Sequence, residues 1–121
     1  MPKVLIVEDE AALQQMYKFK LENSGFTVAV AGNGQEGLHQ AEQFLPDLIL
    51  LDLRMPVMSG DEMLAELRQT EWGANMRVII LTNISRQEAP AQLQFLNVDR
   101  YVVKAHSTPA QVVDIIREVL A

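Results

Sequence analysis

A chain of 121 residues, 49% hydrophobic and 21% charged, is long enough for one domain with one core and too short for a second folded unit, so residues 1–121 are expected to form a single domain. A net charge of −6 argues against direct nucleic-acid binding, which relies on cations set against phosphates, and the lack of cysteine excludes disulfides, thiol catalysis and thiolate metal sites. His39 and His106 are too far apart and too lightly accompanied for a zinc site. The apolar runs are far too short to span a membrane, and Met1-Pro2-Lys3 leads straight into a strand-like run without a signal-peptide pattern, so a cytoplasmic protein is expected.

Lys3 to Val7 is a β-branched apolar run, read as the first strand, that ends on the acids Glu8, Asp9 and Glu10. From Glu10 to Ser24, Leu13, Met16, Tyr17, Phe19 and Leu21 recur near helical spacing, and Gly25 stands where a helix-terminating glycine belongs. Phe26 to Ala31 reads as the second strand. Asn33 can then open a second helix, from about Gln35 to Phe44, with Pro46 beyond its end. Leu48 to Leu51 has no polar alternation, the mark of a strand buried on both faces of a parallel sheet, and it stops on Asp52. A loop carrying Pro56 and closed by Gly60 leads into a third helix, Asp61 to Arg68, with acids in its first turn as the helix dipole favours. Val78 to Leu81 is the fourth strand, ending on Thr82-Asn83. The fourth helix is expected within Glu88 to Leu96, with Pro90 in its first turn. Tyr101 to Val103 is the fifth strand and ends on Lys104. Thr108-Pro109 opens the fifth helix, whose apolar face is Val112, Val113, Ile116, Val119 and Leu120.

Strands and helices in strict alternation predict an α/β fold: a doubly wound, five-stranded parallel sheet in the order 2-1-3-4-5, flavodoxin-like (βα)5. All strands then point one way, and their C-terminal ends share the edge where such sheets bind ligands. Collected there are Glu8 and Asp9, Asp52, Thr82 and Lys104. Each has a plainer reading alone, since Lys104 could pair with a surface acid, Thr82 could cap a turn, and the acids could open the first helix. Together they point to a site. Carboxylates brought close repel by roughly 4 kcal/mol per pair at 4 Å in an effective dielectric of 20, which calls for a cation. Oxygen donors with room for water suit Mg²⁺, with Mn²⁺ as a substitute. An aspartate beside Mg²⁺, a lysine and a threonine is a set of parts for phosphoryl transfer with Asp52 as the nucleophile.

The acid pair in Val7-Glu8-Asp9, the run Leu51-Asp52-Leu53-Arg54-Met55-Pro56-Val57-Met58-Ser59-Gly60, the strand end Ile80-Leu81-Thr82, and Tyr101-Val102-Val103-Lys104 resemble the receiver domains of bacterial two-component response regulators, over the full chain. The resemblance implies a phosphorylation-activated signalling switch, not an enzyme acting on other substrates. In it Asp52 accepts a phosphoryl group from a histidine kinase or histidine phosphotransfer protein. Asp9, Asp52 and the backbone carbonyl of Arg54 would ligate Mg²⁺, with Glu8 helping through water. Lys104 and Thr82 would contact the phosphoryl oxygens, and Tyr101 would change rotamer as Thr82 moves. The face built by the fourth helix, fifth strand and fifth helix would then change shape for a downstream protein or an output domain, and a homodimer through that face is a further option.

Three positions depart from the family pattern. Ala105 follows Lys104 where a cis proline is common, leaving the geometry of that bond open. Asn83 stands where a small residue is usual and could obstruct the phosphodonor or attacking water. Asn97 replaces a common glycine, but asparagine tolerates the left-handed conformation. Alternatives are an Asp-dependent phosphohydrolase of the haloacid-dehalogenase type, a receiver-like scaffold that is never phosphorylated, and a flavodoxin-type cofactor binder. The first needs a second acid where Arg54 stands, and the third a glycine- or hydroxyl-rich phosphate loop after the first strand, which is absent.

Overall fold

A computed structural model describes all 121 residues. Five strands, β1 (Lys3–Val7), β2 (Thr27–Ala31), β3 (Leu48–Leu51), β4 (Arg77–Thr82) and β5 (Arg100–Val103), pair in parallel in the order β2-β1-β3-β4-β5. Four α-helices connect or follow them: α1 (Ala11–Asn23), α2 (Gly34–Phe44), α3 (Gly60–Arg68) and α4 (Pro109–Leu120). The predicted topology is borne out. The central strand explains the layering: Leu48 and Leu50 enter one core with Tyr17, Leu21, Val112 and Ile116 of α1 and α4, whereas Ile49 and Leu51 enter the other with Ala41, Met63, Leu64 and Leu67 of α2 and α3. An unbroken apolar run is what a strand covered on both faces needs.

Helix ends follow local chemistry. Asn33 caps α2 by accepting from the Glu36 N–H at 2.8 Å. Ser59 and Thr108 build reciprocal capping boxes with Glu62 and Gln111, and Pro109 sits at the start of α4. The Ser59 N–H holds the exposed Glu62 carboxyl below the ordinary carboxylate range. Helix α1 ends in a Schellman motif: the Phe26 N–H bonds to the Leu21 carbonyl and the Gly25 N–H to that of Glu22, with Gly25 at φ 95. Asn97 takes a φ of 55, the left-handed role expected of it.

The fourth predicted helix is corrected. Between β4 and β5 the chain forms two short 3-10 turns, Arg86–Glu88 and Ala91–Phe95, separated by Ala89 and Pro90. Pro90 does not serve as the first turn of one helix. The residue before a proline is driven out of helical geometry, and Ala89 sits at ψ 149 with Pro90 itself at ψ 133, so the helical path breaks. The expected fourth-helix, fifth-strand and fifth-helix face is accordingly built from these turns, β5 and α4.

Arg68, placed at the end of α3, ties this region down. Its half-buried guanidinium donates to the carbonyls of Gly73 and Met76 before β4 and of Leu96 and Asn97 before β5. Burial lowers its pKa from the ordinary value.

Candidate functional site

Register brings the predicted residues together. Val7 pairs with Leu51, so Glu8 and Asp52 leave neighbouring strands side by side, and Thr82 pairs with Val103, so Lys104 emerges next to it. Glu8, Asp52 and Thr82 are the buried polar residues of the whole chain, and Asp9 is exposed at the rim. One carboxylate oxygen from each of Glu8, Asp9 and Asp52 lies within 4.8 Å of the others. Hard oxygens crowded in this way fit a small divalent cation such as Mg²⁺.

Lys104 reaches in to two of the acids. Its Nζ donates to Glu8 Oε1 and, at 3.1 Å, to Asp52 Oδ2. Every peptide bond is trans, that between Lys104 and Ala105 included. Asp52 Oδ1 accepts from the Leu53 N–H at 2.7 Å, and Glu8 Oε2 from the Glu10 N–H at 3.0 Å. Burial pushes the Glu8 carboxyl above its ordinary range, with the Asp52 charge acting in the same sense against the bond from Lys104. Burial alone would lower the Lys104 pKa, but its bonds to Glu8 and the charge of Asp52 outweigh that and raise it.

A cavity of about 410 Å³ opens above Asp52, lined among others by Asp9, Arg54, Thr82, Asn83 and Lys104. All the predicted site residues but two therefore meet there: Glu8 is joined to the cavity wall through its bond from Lys104, and Tyr101 stands apart, on β5. The Tyr101 hydroxyl donates to the carbonyls of Ile84 at 2.7 Å and Ser85 at 3.3 Å, and burial raises its pKa, keeping it a donor. It therefore grips the loop that follows Thr82. Beside it a larger cavity, of about 670 Å³, lies between the 3-10 turns and β5, with Arg86, Pro90, Leu93 and Tyr101 in its wall.

The loop after Asp52 is shaped by backbone contacts that the sequence reading passed over. The Gly60 N–H bonds to the Leu53 carbonyl, and the Gly34 N–H at the start of α2 bonds to the Met58 carbonyl at 2.9 Å. Between them the Met58 N–H reaches the Pro56 carbonyl, closing a tight turn over Val57 at φ 69. A β-branched residue there is strained by about 1–2 kcal/mol, and Val57 is solvent-exposed. Val57→Asn should therefore raise unfolding free energy by about 1 kcal/mol in urea titrations, with an unchanged or lowered midpoint counting against the strain. Sequence reasoning also missed Ser85 and Glu88, which line the Asp52 cavity because the break at Pro90 leaves their turn beside it. The Ala-Pro pair was the available signal.

A family profile described as the response regulator receiver domain matches residues 4–117. The phosphate regulon transcriptional regulatory protein PhoB of Rhizobium meliloti is 36% identical over 109 residues, covering 90% of this chain and 48% of that protein. The alkaline phosphatase synthesis transcriptional regulatory protein PhoP of Bacillus subtilis is 35% identical, over 87% of this chain and 43% of that protein. This chain thus spans about half the length of these curated relatives. Among solved structures, the chemotaxis response regulator CheY4 of Vibrio cholerae superposes with a TM-score of 0.89 at 28% identity, covering 98% of both chains. No helix of this chain is long and apolar enough to cross a membrane. With the profile match extending over nearly the whole sequence and a five-stranded sheet of the same order, the chain belongs to the response regulator receiver domain family, a family of signalling domains.

Proposed function

We propose that residues 1–121 act as a phosphorylation-driven switch of a two-component system, with Asp52 as the phosphoacceptor. The observation that carries this reading is the contact of Lys104 with Asp52 inside a cluster of three acids at the strand ends, open to a cavity. A carboxylate oxygen of Asp52 forms the bond to phosphorus as the phosphorus–nitrogen bond of a phosphohistidine breaks. The imidazole leaves with the electron pair. The donor is a histidine kinase or a histidine phosphotransfer protein, in the cytoplasm.

Asp9, Asp52 and the Arg54 carbonyl would hold Mg²⁺, with Glu8 behind them. When bound, the ion supplies neutralisation of charge on the transferring group. Lys104 offers an ammonium and Thr82 a hydroxyl to the phosphoryl oxygens. A phosphoryl group adds negative charge and three acceptor oxygens, enough to draw both inward. Movement of Thr82 alters the loop that Tyr101 grips, and through it the wall of the larger cavity formed by the 3-10 turns and β5. That face is where a downstream protein, an output domain or a second copy would read the state. Arg54 in place of a general acid favours a switch over a hydrolase.

Incubation with acetyl phosphate and Mg²⁺ followed by intact-mass measurement tests the reading. One added phosphoryl group in the wild type and none in Asp52→Asn is the expected result, and none in either at any Mg²⁺ concentration rejects it. Asn83, exposed on the cavity wall, should shield the phosphorylated carboxylate from water. Asn83→Ala is therefore expected to dephosphorylate a few-fold faster, roughly 1 kcal/mol in barrier, whereas equal decay of the mass-shifted species would remove the idea.

A further inference from the structure

Glu88 has no part in the reading above. It ends the Arg86–Glu88 turn and lines the cavity over Asp52, and its Oε1 accepts from Ser85 Oγ at 3.0 Å. It has no cation: the ion pairs of the molecule are Arg77–Asp99, Arg100–Glu118 and the two that Lys104 makes with Glu8 and Asp52. Arg86, in the same turn, lines the neighbouring cavity beside Tyr101 instead. Of the two cations that line this cavity, Lys104 is already committed to two carboxylates and Arg54 makes no ion pair with Glu88. An uncompensated carboxylate therefore stands where an anionic phosphoryl group must enter.

We propose that Glu88 is a specificity-determining residue that selects among phosphodonors, favouring those that carry positive charge beside the phosphoryl group, as nitrogen-linked donors do, over free acyl phosphate dianions. The assignment rests on Asp52 being the phosphoacceptor. With acetyl phosphate, an Asp52 oxygen bonds to phosphorus while the bond to the bridging oxygen breaks and acetate departs with the electron pair. With zwitterionic phosphoramidate, the phosphorus–nitrogen bond breaks and ammonia departs, its protons already in place. The chemistry at Asp52 is the same in both. What differs is the charge that passes Glu88: the acyl phosphate brings only negative charge, whereas the ammonium-like nitrogen of the other donor offsets part of it. Glu88 is exposed, so its repulsion is screened by salt and is largest at low ionic strength.

The test is the rate constant for phosphorylation of Asp52 by acetyl phosphate and by phosphoramidate, followed by intact mass with Mg²⁺ present, in the wild type, Glu88→Gln and Glu88→Lys. Glutamine retains an acceptor for Ser85 Oγ, so the turn is preserved as the charge is removed. At low salt the acetyl phosphate rate constant should rise about threefold in Glu88→Gln and about tenfold in Glu88→Lys, with the phosphoramidate rate constant changing less than about twofold. The differences should shrink at high salt. Parallel changes for both donors, or an acetyl phosphate rate indifferent to the charge at this position, overturn the assignment while leaving Asp52 as phosphoacceptor. Failure of both donors to modify the wild type and both variants overturns the phosphoacceptor reading, and the role of Glu88 falls with it.

Discussion

Lys104→Ala is expected to lower the unfolding free energy by about 3 kcal/mol in metal-free buffer, because it leaves buried charges without their partner. Lys104 is the cation that Glu8 and Asp52 share. Once it is gone, two buried carboxylates and the rim carboxylate of Asp9 remain, with oxygens within 4.8 Å of one another. For a chain of this length that loss corresponds to a fall in Tm of about 10 °C. Adding Mg²⁺ should then raise the Tm of the variant by more than it raises that of the wild type, since only in the variant do the acids lack any compensating charge. Thermal unfolding of both proteins with EDTA and with Mg²⁺ checks this. Equal stability without metal, together with equal shifts on adding it, would show that Lys104 neutralises nothing.

Gly60→Ala is expected to be at least as damaging, by about 3 kcal/mol or more, and to abolish phosphoryl incorporation at Asp52. A Cβ at this position would stand 2.0 Å from the Asp52 carbonyl oxygen and 3.0 Å from Leu53 Cα. Both are backbone atoms, so no side-chain rotation can relieve the clash. Either α3 or the end of β3 must move, and the end of β3 carries Asp52. Gly25→Ala gives the comparison, since its φ of 95 strains any side chain but nothing lies within 4 Å of the added carbon. That substitution should lower stability by about 1–2 kcal/mol and leave phosphorylation intact. Urea unfolding and intact-mass assays on the two variants separate collision from backbone strain. A Gly60→Ala protein that folds and is phosphorylated like the wild type would refute the argument.

Most of the fold was written in local terms. The apolar runs at Lys3 to Val7 and Leu48 to Leu51 match their strands, and Asn33 and Thr108 with Pro109 mark helix starts that the structure confirms. These signals act within a few residues of themselves, so they can be read without knowing the fold. Pro90 shows where that stops. A proline is compatible with a first helical turn or with a break, and the choice rests on what surrounds the segment: the grip of Tyr101 on Ile84 and Ser85, and the hold of Arg68 on Leu96 and Asn97. Those contacts join residues far apart in sequence.

The candidate site divides in the same way. That Glu8, Asp9, Asp52, Thr82 and Lys104 gather follows from a parallel sheet, because strand ends converge whatever the side chains are. How closely Lys104 approaches, and that the loop after Asp52 is braced by Gly34 and Gly60, depends on approach distances of backbone to backbone. A glycine in a sequence announces flexibility more readily than it announces a neighbour pressed against its α-carbon.

The broken stretch between β4 and β5 bears on motion. The backbone bonds that bound its turns, from Glu88 to Ser85, Ala89 to Arg86, Leu93 to Pro90 and Leu96 to Leu93, each span three residues, and no continuous α-helical ladder runs through it. Segments held by few and short-range bonds open locally at small free energy, whereas amides of buried central strands such as β1 and β3 exchange with solvent only when the whole domain unfolds. The hydroxyl of Tyr101 therefore holds a segment whose own backbone bonds are few and short-range. On the proposed reading, movement at the strand ends would displace this segment before it disturbed the sheet that carries Asp52.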